Sequence, residues 1–165
     1  MKESIQMGSK TILVAEAEQY ILDLLDFNLK QTGFDVVIAM NGAEAMAAVA
    51  SHFPSLILLD RQLPVIDGDE VCRRIKEYKA TTHIPVIMMS TRSEEDDIVS
   101  ALENGADDYV AIPFSVAELI ARISALLRWS EYLPPDGESL TFGQLVIDVD
   151  GRGASVNGTT ELFQG

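Results

Sequence analysis

The chain has one cysteine, few cations and no long hydrophobic run, and each shortage removes a class of function. Cys72 alone cannot close an internal disulfide. It sits in a helical apolar stripe, where packing rather than thiol chemistry is its expected task, and it agrees with a reducing compartment. Lys and Arg number 12 against 26 Asp and Glu, for a net charge of −14, and residues 131–165 carry six acids with Arg152 as their only base. A nucleic-acid surface needs clustered cations to replace phosphate counterions, so this stretch of chain by itself is not expected to grip DNA or RNA. No apolar run nears the roughly eighteen residues of a membrane span, and the polar extension 1–10 has no secretory core. The expected location is therefore the cytoplasm, without a membrane partner. His52 and His83 lie near helix ends without spaced partners for a metal, and Gly151, Gly153 and Gly158 miss the dinucleotide-binding spacing.

What the chain does contain is a rhythm. Short apolar runs at Ile12 to Ala15, Val36 to Ala39, Leu56 to Leu59, Val86 to Met89 and Tyr109 to Ile112 alternate with amphipathic stretches. Runs this short, without polar alternation, suit strands buried on both faces, and the alternation predicts an α/β fold with a parallel sheet. Between the runs, Ile21, Leu24, Leu25 and Leu29 recur at helical spacing, as do Val71, Cys72 and Ile75, and Val116, Leu119, Ile120, Ile123 and Leu127. Helix starts are marked by Asn41 before Glu44, Ser93 before Asp96 and Ser115 before Glu118, and helix ends by Gly33 and Gly105. Right-handed crossovers wind five such units into an open, doubly wound sheet. Ligands in such sheets bind beyond the carboxyl ends of the strands, here Glu16-Ala17, Asp60, Ser90 and Ile112.

After Arg128 the character changes. Trp129 to Ser139 contains Pro134, Pro135, Asp136 and Gly137, a linker composition. Leu140 to Asp148 and Ala154 to Val156 then read as short strands, with Asn157-Gly158 as a hairpin signal. The expected organisation is an extension 1–10, an α/β domain 11–129, a linker 130–139 and a short β unit 140–165, too small to bury a core of its own.

The most informative segment is Leu56-Ile57-Leu58-Leu59-Asp60-Arg61-Gln62-Leu63-Pro64-Val65-Ile66-Asp67-Gly68. An apolar strand ending in Asp, with Pro four residues later and Asp-Gly at seven and eight, resembles the phosphoacceptor segment of response-regulator receiver domains. Thr11 to Glu18, Pro85 to Arg92, Gly105 to Tyr109 and Pro113-Phe114 resemble the same family in the right order, so that the likeness covers most of residues 11–129. Ala121-Arg122-Ile123 and Leu126-Leu127-Arg128 look like the fifth helix of the OmpR/PhoB group. Leu140 to Leu162 is similar to the opening strands of the winged-helix DNA-binding domain that such regulators carry.

The resemblance implies a flavodoxin-like sheet of order 2-1-3-4-5, phosphorylation of Asp60 by a histidine kinase, and Mg²⁺ held by Glu16, Asp60 and the backbone carbonyl of Gln62. It also implies a switch pair, Ser90 and Tyr109, and a homodimer through the fourth helix, fifth strand and fifth helix. Asp107, Asp108, Glu118 and Arg122 match the charged positions of that face, and Ile98 stands where a basic residue is usual. Two departures touch the chemistry. Ala17 replaces the second acid of the metal pair, and Ile112 replaces the Lys that pairs with phosphate. The pocket's formal charge stays at −2, but a metal ligand and a charge-assisted hydrogen bond of roughly 1.5–3 kcal/mol are gone, so Mg²⁺ is expected to bind weakly. A second reading is an atypical receiver acting as a phosphorylation-independent binding and dimerisation module. A phosphatase or flavin enzyme on this fold is disfavoured. No second acid follows Asp60 at two residues, and no Gly-rich loop follows the first strand.

Overall fold

The computed structural model describes residues 9–131 in full and, beyond them, the backbone of residues 140–142, 145–148, 153–156 and 159–160. The chain divides into two units, 1–127 and 128–165. In the first, β1 (Thr11–Ala15), β2 (Asp35–Ala39), β3 (Leu56–Asp60), β4 (Val86–Ser90) and β5 (Asp108–Ala111) form one parallel sheet of order 2-1-3-4-5. The connections are α1 (Gln19–Thr32), α2 (Gly42–His52), α3 (Gly68–Glu77) and α4 (Glu95–Glu103), and α5 (Val116–Ser130) follows β5.

Successive side chains of a strand point to opposite faces, and here both faces are apolar. Leu13, Ala15, Ile57, Leu59, Val86 and Met88 pack with Ala45 and Val49 of α2, Val71, Cys72 and Ile75 of α3, and Ala101 of α4. Ile12, Val14, Leu56, Leu58, Ile87, Met89 and Val110 pack on the other face with α1 and α5. Cys72, Met88 and Met89 are fully buried, as their apolar surroundings in the sequence predict.

The apolar stripe of α1 needs a correction. The helix buries Ile21, Leu22, Leu25 and Leu29, and Leu24 is 42 % exposed. Leu22, three residues before Leu25 and seven before Leu29, lies on the flank of the stripe that meets the sheet, whereas Leu24, three residues after Ile21, lies on the other flank. Asn41 caps α2 by accepting from the Glu44 amide at 2.8 Å, and Ser115 accepts from Glu118 at 3.2 Å. For α4 the cap lies one residue later than the spacing of Ser93 and Asp96 suggests. The N-cap is Glu94, whose amide donates to Asp97 at 3.3 Å.

Two glycines set the loops around the carboxyl ends of the strands. A Cβ on Gly68 would lie 2.3 Å from the Asp60 carbonyl oxygen, so α3 can begin directly against the end of β3 only without one. A Cβ on Gly42 would lie 2.0 Å from the Ile66 carbonyl oxygen, where the start of α2 meets the β3–α3 loop.

In the second unit β6 (Leu140–Phe142), β7 (Leu145–Asp148), β8 (Gly153–Val156) and β9 (Thr159–Thr160) form an antiparallel sheet in chain order. Leu140 to Asp148, one run in the sequence, is two strands paired Phe142 to Leu145, and residues 143–144 between them lie outside the described residues. Val156 pairs with Thr159, and the Asn157-Gly158 signal between them lies outside the described residues. Of the linker expected at 130–139, Ser130 is still helical and residues 132–139 lie outside the described residues.

Candidate phosphoacceptor site

Asp60 closes β3, half-buried between the ends of β1 and β4. Its carboxylate accepts from the Gln62 amide at 2.9 Å. Glu16, one residue past β1, is fully buried. Its Oε2 accepts from the amides of Ala17 and Glu18, both at 3.0 Å, while Oε1 has no hydrogen-bond partner among the described residues. Burial, with the neighbouring Asp60 carboxyl adding to it, pushes Glu16 from the ordinary 4.5 up to about 8, against the opposing pull of the two backbone amides. At neutral pH Glu16 therefore holds a proton, and its Oε1, which accepts from no amide among the described residues, is open to that proton or a cation.

Ser90 ends β4 with 1 % exposure, and Tyr109 lies in β5 with its ring turned inward at 9 %. Arg92 joins the two: its amide donates to the Ser90 Oγ at 2.9 Å, and its carbonyl accepts from the Tyr109 hydroxyl. The Ile112 amide donates to the Ser90 carbonyl at 2.8 Å, which brings residue 112 beside the same strand ends. Its side chain packs, partly buried, against the cluster shared by α1 and α5. Glu16, Asp60, Ser90 and residue 112 thus gather at the carboxyl ends of the strands, and that end has neither a side-chain oxygen at position 17 nor an ammonium at 112.

The sequence reading missed Arg61. An arginine is seldom buried unless paired, and this one, 5 % exposed, is paired three ways. Nε donates to Asp69 at 3.1 Å, Nη1 to the Asp97 carbonyl at 2.7 Å and Nη2 to the Ser100 Oγ at 3.3 Å. Burial works against its charge, but the Tyr109 phenol and the Asp69 carboxylate outweigh it and hold its pKa above the ordinary value. The available signal was a cation placed directly after an apolar strand.

The residues matched to a dimer face separate. Arg122 bonds both Asp108, at 3.0 and 3.2 Å, and Glu118, at 2.8 Å, so these three form one half-exposed network. Asp107 turns elsewhere, accepting from the Val86 amide at 2.9 Å and pairing with Lys76 at 2.9 Å. Ile98 is partly buried against the core, and its neighbours Val99 and Leu102 are exposed. Glu94 to Asp97 is the start of α4, where acids favour the positive helix end.

The site's fit to a metal rests on Glu16 and Asp60. Among the described residues no group of three or more His, Cys, Asp or Glu could hold an ion. Two carboxylates with one orphaned buried oxygen nevertheless suit a hard cation that keeps much of its water, as Mg²⁺ does.

Comparison with known proteins agrees with this geometry. The sequence profile of the response regulator receiver domain matches residues 12–124. The alkaline phosphatase synthesis transcriptional regulatory protein PhoP of Bacillus subtilis is 42 % identical over 84 % of this chain and 58 % of its own length. The transcriptional regulatory protein PrrA of Mycobacterium tuberculosis is 40 % identical over 91 % and 64 %, and the phosphate regulon regulator PhoB of Pseudomonas aeruginosa 38 % over 93 % and 69 %. The chain thus spans about three fifths to two thirds of the length of these relatives. Among solved structures, the receiver domain of the Francisella response regulator 1452 overlays with a TM-score of 0.70 at 26 % identity, covering 74 % of this chain and 99 % of that one. The BeF3-activated receiver domain of Klebsiella pneumoniae RstA gives 0.66 at 28 % identity, covering 72 % and 98 %.

Proposed function

The chain belongs to the response-regulator receiver family, and from that premise we propose that it is the input part of a two-component transcription regulator, phosphorylated on Asp60 by a histidine kinase. The observation that carries this reading is the meeting of Asp60, the buried Glu16 and the hydroxyl of Ser90 at the carboxyl ends of adjacent strands. A carboxylate attacking a phosphoryl group approaches an anion, so the site must supply positive charge. Mg²⁺ would be held by Glu16, Asp60 and the Gln62 carbonyl, and when bound it neutralises charge on the phosphoryl oxygens. The Ser90 hydroxyl is placed to donate to the phosphoryl group once it turns from the Arg92 amide, and through Arg92 that change reaches the Tyr109 hydroxyl. The role is to accept a signal, not to turn over substrate.

Ala17 and Ile112 weaken the pocket, which favours a second reading, a receiver that binds and dimerises without phosphorylation; the relatives give that reading no support. Intact mass after incubation with a small phosphodonor and Mg²⁺ decides between them. One added phosphoryl group, absent from Asp60→Ala, supports the first reading, and no addition supports the second. The second unit is read as the opening strands of a winged-helix domain, and the protein as cytoplasmic. With a tail of six acids and one Arg, residues 1–165 should not bind DNA specifically. Sub-micromolar, sequence-dependent retardation in a gel-shift assay would contradict that.

A further inference from the structure

Helix α4 has little apolar surface in the core. Of its apolar residues only Ala101 is fully buried and Ile98 partly so, whereas Val99 and Leu102 are 42 % and 43 % exposed. Helix α1 buries four large aliphatic side chains by comparison. A helix held so lightly by packing takes its position from its polar contacts; besides the pairing of Asp97 with Arg92 of the preceding loop at 3.4 Å, those of α4 converge on the first turn of α3 and on the residue after Asp60. At its carboxyl end the Asn104 side-chain amide donates to the Asp69 carbonyl at 2.7 Å. At its amino end the Arg61 guanidinium donates to the Asp97 carbonyl and the Ser100 hydroxyl while also holding the Asp69 carboxylate. Arg61 is fixed at its base: its amide donates to Met89 in β4 at 2.8 Å and its carbonyl accepts from Gly68 at 2.9 Å.

We infer that Arg61 is the positioning residue of α4. Its planar fork ties the first turn of that helix to the end of β3, so a change at Asp60 reaches α4 through the adjacent residue as well as through Ser90 and Tyr109. The tie stands on the geometry alone; its response to the pocket rests on the reading of Asp60 as phosphoacceptor. Three acceptors on two helices suit the rigid, divergent donors of a guanidinium and not the single point of an ammonium.

The test is amide hydrogen exchange on the whole chain, comparing residues 95–103 of α4 with residues 21–29 of α1. Arg61→Met keeps the apolar stem and removes the guanidinium. It should speed exchange in α4 by about tenfold or more, as expected for loss of charge-assisted hydrogen bonds, and leave α1 within about twofold. Ser100→Ala should act in the same direction, more weakly, and add nothing in the Arg61→Met background. Equal acceleration of α1 and α4, or unchanged α4, would overturn the inference. If Arg61→Met does not fold, Ser100→Ala and Asp69→Asn decide by the same comparison, and unchanged α4 in both overturns it. Beryllofluoride with Mg²⁺, a phosphoryl mimic, tests the coupling. Its effect on α4 exchange should shrink in Arg61→Met, and an equal effect refutes the coupling. Failure of the unmodified chain to bind the mimic would refute the reading of Asp60, and the coupling with it, while the tie itself is decided by the exchange of the unliganded variants.

Discussion

Glu16 carries a proton that its unfolded counterpart sheds near pH 4.5, because burial, aided by Asp60, raises it to about 8. The folded chain thus binds more protons than the unfolded one between those values. Stability from this group is fully present below about 4.5 and is withdrawn as the pH climbs to 8. In metal-free buffer, denaturant titrations should show the Glu16→Gln chain losing less stability over that window than the unmodified chain; equal losses would contradict the assignment. If Mg²⁺ is held at Glu16 as proposed, it displaces the same proton, so its apparent affinity should rise with pH through 8, with proton release visible by calorimetry in buffers of different ionisation heat. Asp60→Asn should lower the Glu16 value without returning it to 4.5, since burial is the larger cause. At Val65 the constraint is steric. This β-branched residue has φ of 74°, in a three-residue turn closed by the Ile66 amide on the Pro64 carbonyl at 2.9 Å, and it is 76 % exposed. Relief of roughly 1–2 kcal/mol of left-handed strain exceeds the entropy cost of a glycine, so Val65→Gly should stabilise by up to about 1 kcal/mol in urea unfolding. A destabilised variant would contradict it.

At the scale of elements, caps and stripes show what a sequence reveals and where it stops. Asn41 with Glu44 is readable because a side-chain oxygen at that spacing has one geometric use, and Asn41→Ala should cost about 1 kcal/mol. Ser93 with Asp96 has the same spacing, but α4 begins after Glu94, so Ser93→Ala should be nearly neutral in the same melts. A cost equal to that of Asn41→Ala would restore Ser93 as the cap. The five strands were legible because their apolar runs are short and alternate with amphipathic stretches, although the edge strand β2 leaves Ile38 44 % exposed. In α1 the period allowed Leu24 as well as Leu22, and only the tertiary contact between helix and sheet selects one. Asp60, Glu16 and Ser90 were legible as residues at strand ends, where the topology must gather them. Arg61 was not, because nothing local says that a cation will find a carboxylate, a carbonyl and a hydroxyl on two helices distant in sequence.

For the whole molecule, the exposed Val99 and Leu102 lie on α4, and the network of Asp108, Glu118 and Arg122 joins β5 to α5. If this face pairs two copies, the contact should be more apolar than one with a basic residue at position 98, because Ile98 supplies no charge and Val99 and Leu102 are exposed. Exposed ion pairs contribute roughly 0–1 kcal/mol each and are screened by salt, so sedimentation should show self-association that changes little with ionic strength. A strict monomer at high micromolar concentration, or a dimer abolished by salt, would contradict this. The central claim is that Asp60 is the phosphoacceptor of a pocket short of one ligand and one cation. It is tested most directly by the rate of Asp60 phosphorylation from a small phosphodonor with Mg²⁺, followed by intact mass in the unmodified chain, Ala17→Asp, Ile112→Lys, the double variant and Asp60→Ala. The unmodified chain should take up one phosphoryl group slowly and Asp60→Ala none, and the double variant should gain more than the single changes combine to give, because both groups act on one anion. Addition that survives Asp60→Ala, or an unmodified chain as fast as the double variant, would contradict it.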